Sequence, residues 1–384
     1  MIKDKIKFSL QTQPEFIYEL REKVKEYFEK GHISKYGNTN IVLKSLFMIS
    51  LYLVPFILML SGIVQIFPMI FLCWIIMGFG MAGIGMALMH DANHRSYSKN
   101  QKINSLLSNS LYLLGGFPPN WQYQHNTLHH GFTNIEGHDE DIDPMGLLRF
   151  SPHKTLLKVH KYQYLYAWFF YGLMTISWTT LKDFQKLYEY KKMGAELGSN
   201  KSFKQMQLNL IVSKILYYII FLVIPIIVLP VSWFWVVLFY LAMHFISGLI
   251  LSTIFQTAHV VSTSEYPLPD ENGNIESNWA IHQLLTTSDF SPGSKIFSWM
   301  IGGLNYQVEH HLFPNICHIH YKGISRLVKE TASKYGLPYH VQPTFFSAVR
   351  NHAKMLKILG REKIPQIDKI DYSKDFKIQY SISI

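Results

Sequence analysis

The stretch QVEHHLFP at residues 307–314 sets His310 beside His311. Imidazole can carry protons or bind metal, and an adjacent pair alone does not choose between these roles. Two earlier clusters do: HDANH supplies His90 and His94, and HNTLHH supplies His125, His129 and His130. A spacing of four puts two imidazoles on one face of a helix. His259, at the end of a long apolar stretch, brings the number to eight. Structural zinc takes four ligands, commonly with cysteine among them, so eight imidazoles exceed that role. Thiolate-free imidazole sites suit zinc, copper, iron or nickel, and eight donors suffice for two ions with positions left open. An open, nitrogen-ligated pair points to oxygen chemistry.

Carboxylates are interleaved with these histidines. Asp91, Glu309 and the run GHDEDIDP at 137–144 are candidate acceptors that would fix imidazole tautomers, or candidate ligands. His138, His282, His318 and His320 lie near the clusters without an assigned role, and His32, His153, His160, His340 and His352 read as surface residues. His244 sits inside an apolar stretch. It is either functional or a neutral ring hydrogen-bonded between helices.

The elements that carry the clusters are apolar. Of the 384 residues, 48% are hydrophobic and 16% charged, and neither 45–89 nor 215–264 holds a charged side chain. A bilayer core needs about 20 apolar residues per helix, so each stretch is long enough to cross twice. Spans are expected at about 45–63, 66–89, 209–230 and 232–258. The fold expected is an all-α integral membrane protein: four transmembrane helices in two hairpins, with a cytoplasmic helical cap holding the metal site. The 36 basic residues avoid the two hairpin turns near 64 and 231. By the positive-inside rule both termini and all three clusters would face the cytoplasm. Residues 162–180 are uncharged, but a fifth crossing would separate the third cluster from the others, so an interfacial helix is expected there, and another at 103–119.

Residues 1–40 are charged and lack the pattern of a signal peptide. They predict a cytoplasmic amphipathic helix opened by a capping box of Thr12 with Glu15, with Pro14 in the first turn. A membrane domain at 41–345 and a cytoplasmic C-terminal tail at 346–384 complete the expected division. Cys73 and Cys317 form no disulfide framework.

HDANH, HNTLHH and QVEHH, in that order, with membrane hairpins before the first and between the second and third, resemble the three histidine boxes of the membrane fatty acid desaturases. The glutamine heading the third box resembles the front-end subfamily, which inserts a double bond between the carboxyl end and an existing one. The likeness runs from about residue 15 to about 345 and includes GFTNIEGHDEDIDP and NWAIHQLLTTSDF. It implies two irons held by His90, His94, His125, His129, His130, His259, His310 and His311, with His310 and His311 on different ions. Gln307 stands where many relatives have histidine, so it would bind metal directly or through water, and Gln256 is a further candidate of that kind.

An unactivated methylene offers no acidic proton and no leaving group, so acid, base or nucleophile will not remove its hydrogens. The family reaction uses one O2 and two electrons, takes hydrogens from adjacent carbons and releases two waters. It implies a long-chain acyl substrate, carried by CoA or a membrane lipid, and an external donor, ferredoxin or cytochrome b5. No haem motif of a fused cytochrome b5 lies in the residues before the first span. A net charge of +10 would suit an acidic redox protein, acyl-CoA phosphates or membrane lipids; no nucleic-acid partner is expected. Two rivals remain: a di-iron hydroxylase or other oxygenase, separable by its product, and a metal transporter, whose ligands would lie near the bilayer midplane.

Overall fold

The structure, a computed structural model, describes residues 6–362 except 145 and 199–200. Among the described residues, four helices are long and apolar enough to cross a membrane: α2 (Thr39–Leu60), α3 (Phe67–Asn93), α8 (Phe203–Val228) and α9 (Trp233–His259). Around their ends lie α1 (Pro14–Lys30), α4 (Gln101–Ser108), α5 (118–132), α6 (Gln163–Gly172) and α7 (174–192). Beyond α9 come α10 (Trp279–Thr286), α11 (Lys295–Met300), α12 (Gln307–Leu312), α13 (Tyr321–Lys334) and α14 (Phe345–Leu359). Among the described residues, strand occurs as two short parallel pairings: β1 (Lys7–Phe8) with β2 (Asn274–Ile275), and β3 (Asp289–Phe290) with β4 (Val341–Gln342).

The long helix α3 packs on both α2 and α9. Small residues make this possible: a Cβ on Gly80 would stand 2.5 Å from the backbone of Tyr52, and one on Gly78 would stand 2.8 Å from Met243 O. Without a hydrophobic drive between helices in lipid, such close backbone contact supplies the packing. Two spans begin before their apolar runs. Lys44 is buried inside α2 with its ammonium 2.7 Å from His318 Nε2. Lys214 in α8 donates to the carbonyls of Gly115 (2.5 Å) and Trp178 (2.7 Å) and to the Asp183 carboxylate (2.5 Å). A charge inside such a helix is tolerated when its hydrogen bonds are met.

Four expectations need correction. Thr12 and Glu15 form no capping box: α1 is capped by Gln13 in a left-handed conformation, and Thr12 Oγ1 bonds to Ser9 and to Glu276 O instead. Pro14 does open the helix. The segment 162–180 does not simply lie across the ends of the spans. Helix α6 runs down α9 until Gly172 meets Phe245 and Gly248, with the Gly248 Cβ position 2.6 Å from Gly172 O. The helix breaks at Leu173, Thr175 reaches His244, and the chain then returns along α8, where Trp178 and Asp183 meet Lys214 and Tyr188 meets Gln207. Two facing glycines admit this close approach; hydropathy does not register it.

The last two corrections concern burial. Helix α14, placed by sequence in the C-terminal tail, buries Met355, Leu356 and Leu359, each contributing roughly 1.5–3 kcal/mol. The remainder of that tail, 363–384, lies outside the described residues. His352 and His160 are core residues, not surface ones: His352 accepts from Tyr171 Oη (2.6 Å) and donates to Val260 O (2.7 Å). His244 takes the second of its two readings, a ring held between helices by Tyr217 Oη (2.9 Å) and Thr175 Oγ1 (3.0 Å).

Candidate metal centre

One π-helical turn leads into the first histidine cluster and another carries part of the second. Residues Ile84–Met89 lead into His90, and Tyr123–His129 contain His125 and His129. In a π turn the repeat is five, and His130 N–H indeed bonds to His125 O. Residues 125 and 130 therefore face the same way, and their Nε2 atoms lie 3.3 Å apart. The third cluster sits on the short α12, anchored where Asp289 Oδ1 accepts Val308 N–H at 2.9 Å. His259 ends α9.

All eight histidines converge. His90, His94, His125 and His310 each bring a ring nitrogen within 4.8 Å of the others, and His129, His259 and His311 form a second such group. His130 joins the two, grouping with both His310 and His311. Ring centroids are 4.5 Å apart for His90 and His310, and 4.7 Å for His129 and His259. Seven of the eight are buried and His94 is half-buried.

The donor set fits metal. Nε2 of His94, His129, His310 and His311, Nδ1 of His90 and His130, and both nitrogens of His259 are buried without a hydrogen-bond partner. Each such atom costs about 1–3 kcal/mol if left unmet, and metal ions seated between the two groups of rings would take up one nitrogen of each ring. Burial, then the neighbouring rings, holds His125, His130, His310 and His311 well below the ordinary histidine range. They are neutral, the form that offers a lone pair. His129 differs: burial opposes its charge, but the hydrogen-bonded Asp139 and the nearby Asp141 together outweigh burial and raise it.

The outer nitrogens are also held. His129 Nδ1 donates to Asp139 (3.1 Å), His311 Nδ1 to Gln283 Oε1 (2.8 Å), and His310 Nδ1 lies 3.2 Å from Tyr321 Oη. Such contacts fix the tautomer and aim the other nitrogen inward. Asp139 falls in the run marked by sequence. Gln283 and Tyr321 were missed, since nothing local distinguishes them.

The remaining candidates divide. Gln307 Oε1 is buried and unpartnered, and its side chain faces His259. Gln256 donates to Asp141 O at 3.1 Å and leaves its own oxygen unpartnered. Asp91 turns away: its Oδ2 accepts from His318 Nδ1 (2.8 Å) and Cys317 Sγ (3.1 Å), while Oδ1 is 3.9 Å from His90 Nδ1. Asp91, Cys317 and His318 are close enough to share an ion, but the Lys44 ammonium on His318 opposes a second cation there. Glu309 joins none of the histidine groups. It shares Tyr339 Oη (2.9 Å) with Asp289 (2.7 Å), and burial raises both carboxyls, Asp289 to about 6 and Glu309 well above its usual range. A carboxyl kept neutral is a poor ligand.

A cavity of about 840 Å³ meets the cluster at His90, His125 and His310. Its walls include Met86, Met89, Phe170, Met174, Leu251 and Phe255, while Lys182, Lys186 and Lys192 line it elsewhere. An apolar cleft of this size suits a chain-like ligand.

The fatty acid desaturase family model matches residues 66–343. The chain belongs to the fatty acid desaturase family. It is 34% identical over 342 residues to the sn-1 linoleoyl-lipid 6-desaturase of Arthrospira platensis, covering 89% of this chain and 92% of that protein. It is 32% identical over 344 residues to the protein of the same name from Synechocystis sp., covering 89% and 94%. To the acyl-lipid (8-3)-desaturase of Physcomitrium patens it is 34% identical over 356 residues, covering 90% of this chain and 72% of that protein. This desaturase is therefore an oxidoreductase of lipid metabolism, and its four apolar helices mark it as a membrane protein.

Proposed function

We propose that this desaturase introduces a cis double bond at a fixed count from the carboxyl end of a long-chain, already unsaturated acyl group. The observation that carries the reading is an apolar cavity ending on a buried cluster of eight imidazoles with unpartnered nitrogens. His90, His94, His125 and His310 would hold one iron and His129, His259 and His311 a second, with His130 beside both. When bound, the irons supply the activation of O2 and the oxidation of unactivated C–H bonds. The chain's own residues orient the acyl group along Met86, Phe170 and Leu251, exclude bulk water from the buried rings, and hold each ring nitrogen in place through Asp139, Gln283 and Tyr321.

The acyl carrier is read as a membrane lipid, since the similar proteins named above are lipid-linked desaturases. Two hairpins, α2 with α3 and α8 with α9, would cross the bilayer, with both termini and the metal centre on the cytoplasmic side, where the basic residues lie. An external ferredoxin or cytochrome b5 would deliver the two electrons.

Expression in a host that supplies such electrons, followed by mass spectrometric location of new double bonds, tests this reading. The expected result is one bond position that stays fixed as the methyl end is lengthened. A hydroxylated product would overturn desaturation here, and a bond that tracked the methyl end would overturn the regiochemistry.

A further inference from the structure

Helix α14 carries a second feature, separate from the cavity. Arg350, Lys354 and Lys357 recur at intervals of four and three, so they form one exposed stripe opposite the buried Ala348, His352, Met355 and Leu359, and the exposed Arg361 follows just past the end of the helix. None of the four forms an ion pair with a described residue. Three of these side chains' neighbours, Tyr164, Ser347 and Asn351, complete a shallow groove with Arg350, Lys354 and Lys357 that contains no carboxylate. A row of cations with no carboxylate paired to it among the described residues is a surface suited to a polyanion.

The height of the stripe along the spans identifies which polyanion. Lys357 and Arg361 stand over the ring of Tyr164, at 5.6 and 6.0 Å. Tyr164 lies at the start of α6, which descends beside α9 until Gly172 reaches Phe245 and Gly248, near the middle of that span. Eight residues of helix rise about 12 Å, and half a hydrocarbon core is about 15 Å. The stripe thus lies where hydrocarbon gives way to phosphate. Exposed apolar side chains flank it on the hydrocarbon side and at its start: Leu165 (61% exposed), Phe169 (55%) and Phe346 (77%). A soluble protein partner would not call for bulky apolar groups beneath its cationic contact, whereas a lipid leaflet does.

We propose that Arg350, Lys354, Lys357 and Arg361 bind the headgroup phosphates of anionic phospholipids in the leaflet that α6 enters. The assignment rests on the reading that α9 crosses a bilayer. Through Tyr171, which bonds by its hydroxyl to His352 on the inner face of α14 and is itself among the residues lining the cavity, the lipid-facing helix is joined to the wall of the acyl site.

The test uses the full chain in phosphatidylcholine vesicles containing spin-labelled phosphatidylglycerol or spin-labelled phosphatidylcholine, with electron paramagnetic resonance reporting the lipid held at the protein surface. Wild type should prefer the anionic label at low salt. K354Q/K357Q should reduce that preference roughly fivefold or more, while K322Q/K329Q, an equal charge loss from the exposed face of α13, should leave it unchanged. Equal losses in the two variants, or no loss in K354Q/K357Q, would overturn the proposal. So would unchanged lipid preference with a raised KM for an acidic electron-donor protein, which would make the stripe a protein dock. Flotation of all three proteins with the vesicles reports the membrane reading on its own.

Discussion

His311 Nδ1 lies 2.8 Å from Gln283 Oε1, and the same oxygen accepts Thr133 Oγ1 at 2.9 Å. The amide oxygen therefore fixes the proton on Nδ1 and leaves Nε2 to face His129 and His259. Replacing Gln283 with Leu should lower metal affinity about 10- to 100-fold, measured as iron retained through chelator dialysis. Gln283→Glu keeps an acceptor and should retain most of the metal. If the Leu variant kept its iron, His311 would need no such orientation.

His259 stands outside the three clusters, yet its ring is 4.7 Å from His129 and 4.8 Å from His311. His259→Ala should lose both iron and turnover, the latter by roughly 100-fold or more, with helical content unchanged because the residue is the last of α9. Metal analysis beside circular dichroism checks this. Normal iron content would detach the fourth span from the site.

Gln307 offers an unpartnered amide oxygen near His259. Imidazole can replace that donor and leucine cannot. Gln307→His should keep iron and most of the activity, and Gln307→Leu should lose both; a Leu variant with normal iron and turnover would make Gln307 a packing residue.

The metal-free protein should lose stability on mild acidification. Burial, the leading cause in each case, lowers His282, His340 and His352 from 6.5 to about 4. Between these values the unfolded chain holds more protons than the folded one, so stability is complete above pH 6.5 and falls as pH drops towards 4. Each group contributes at most roughly 3 kcal/mol to that loss. Thermal unfolding in detergent at pH 7 and pH 5 measures it, and His352→Gln should reduce the difference. A melting temperature that did not move between the two would show that these rings are hydrated in the folded state.

What the sequence determined by itself was whatever depends on neighbours along the chain. A bilayer core asks for about 20 consecutive apolar residues, and four such runs can be counted. Helical spacing pairs His90 with His94 and His125 with His129, so the ligand candidates could be named, and all eight do converge. Tertiary structure decided what depends on residues far apart. Asp91 sits one residue from His90 but spends its carboxylate on His318, 227 positions away. Glu309, adjacent to His310, is turned towards Asp289 and Tyr339 and kept neutral by burial. Gln283 reaches His311 only because α10 packs on α12. The descent of α6 beside α9 required the facing glycines 172 and 248, whose consequence is a distance between backbones and not a pattern in either helix. His352 reads in sequence as a surface residue, yet a helix has two faces, and only the packed chain fixed which one is buried.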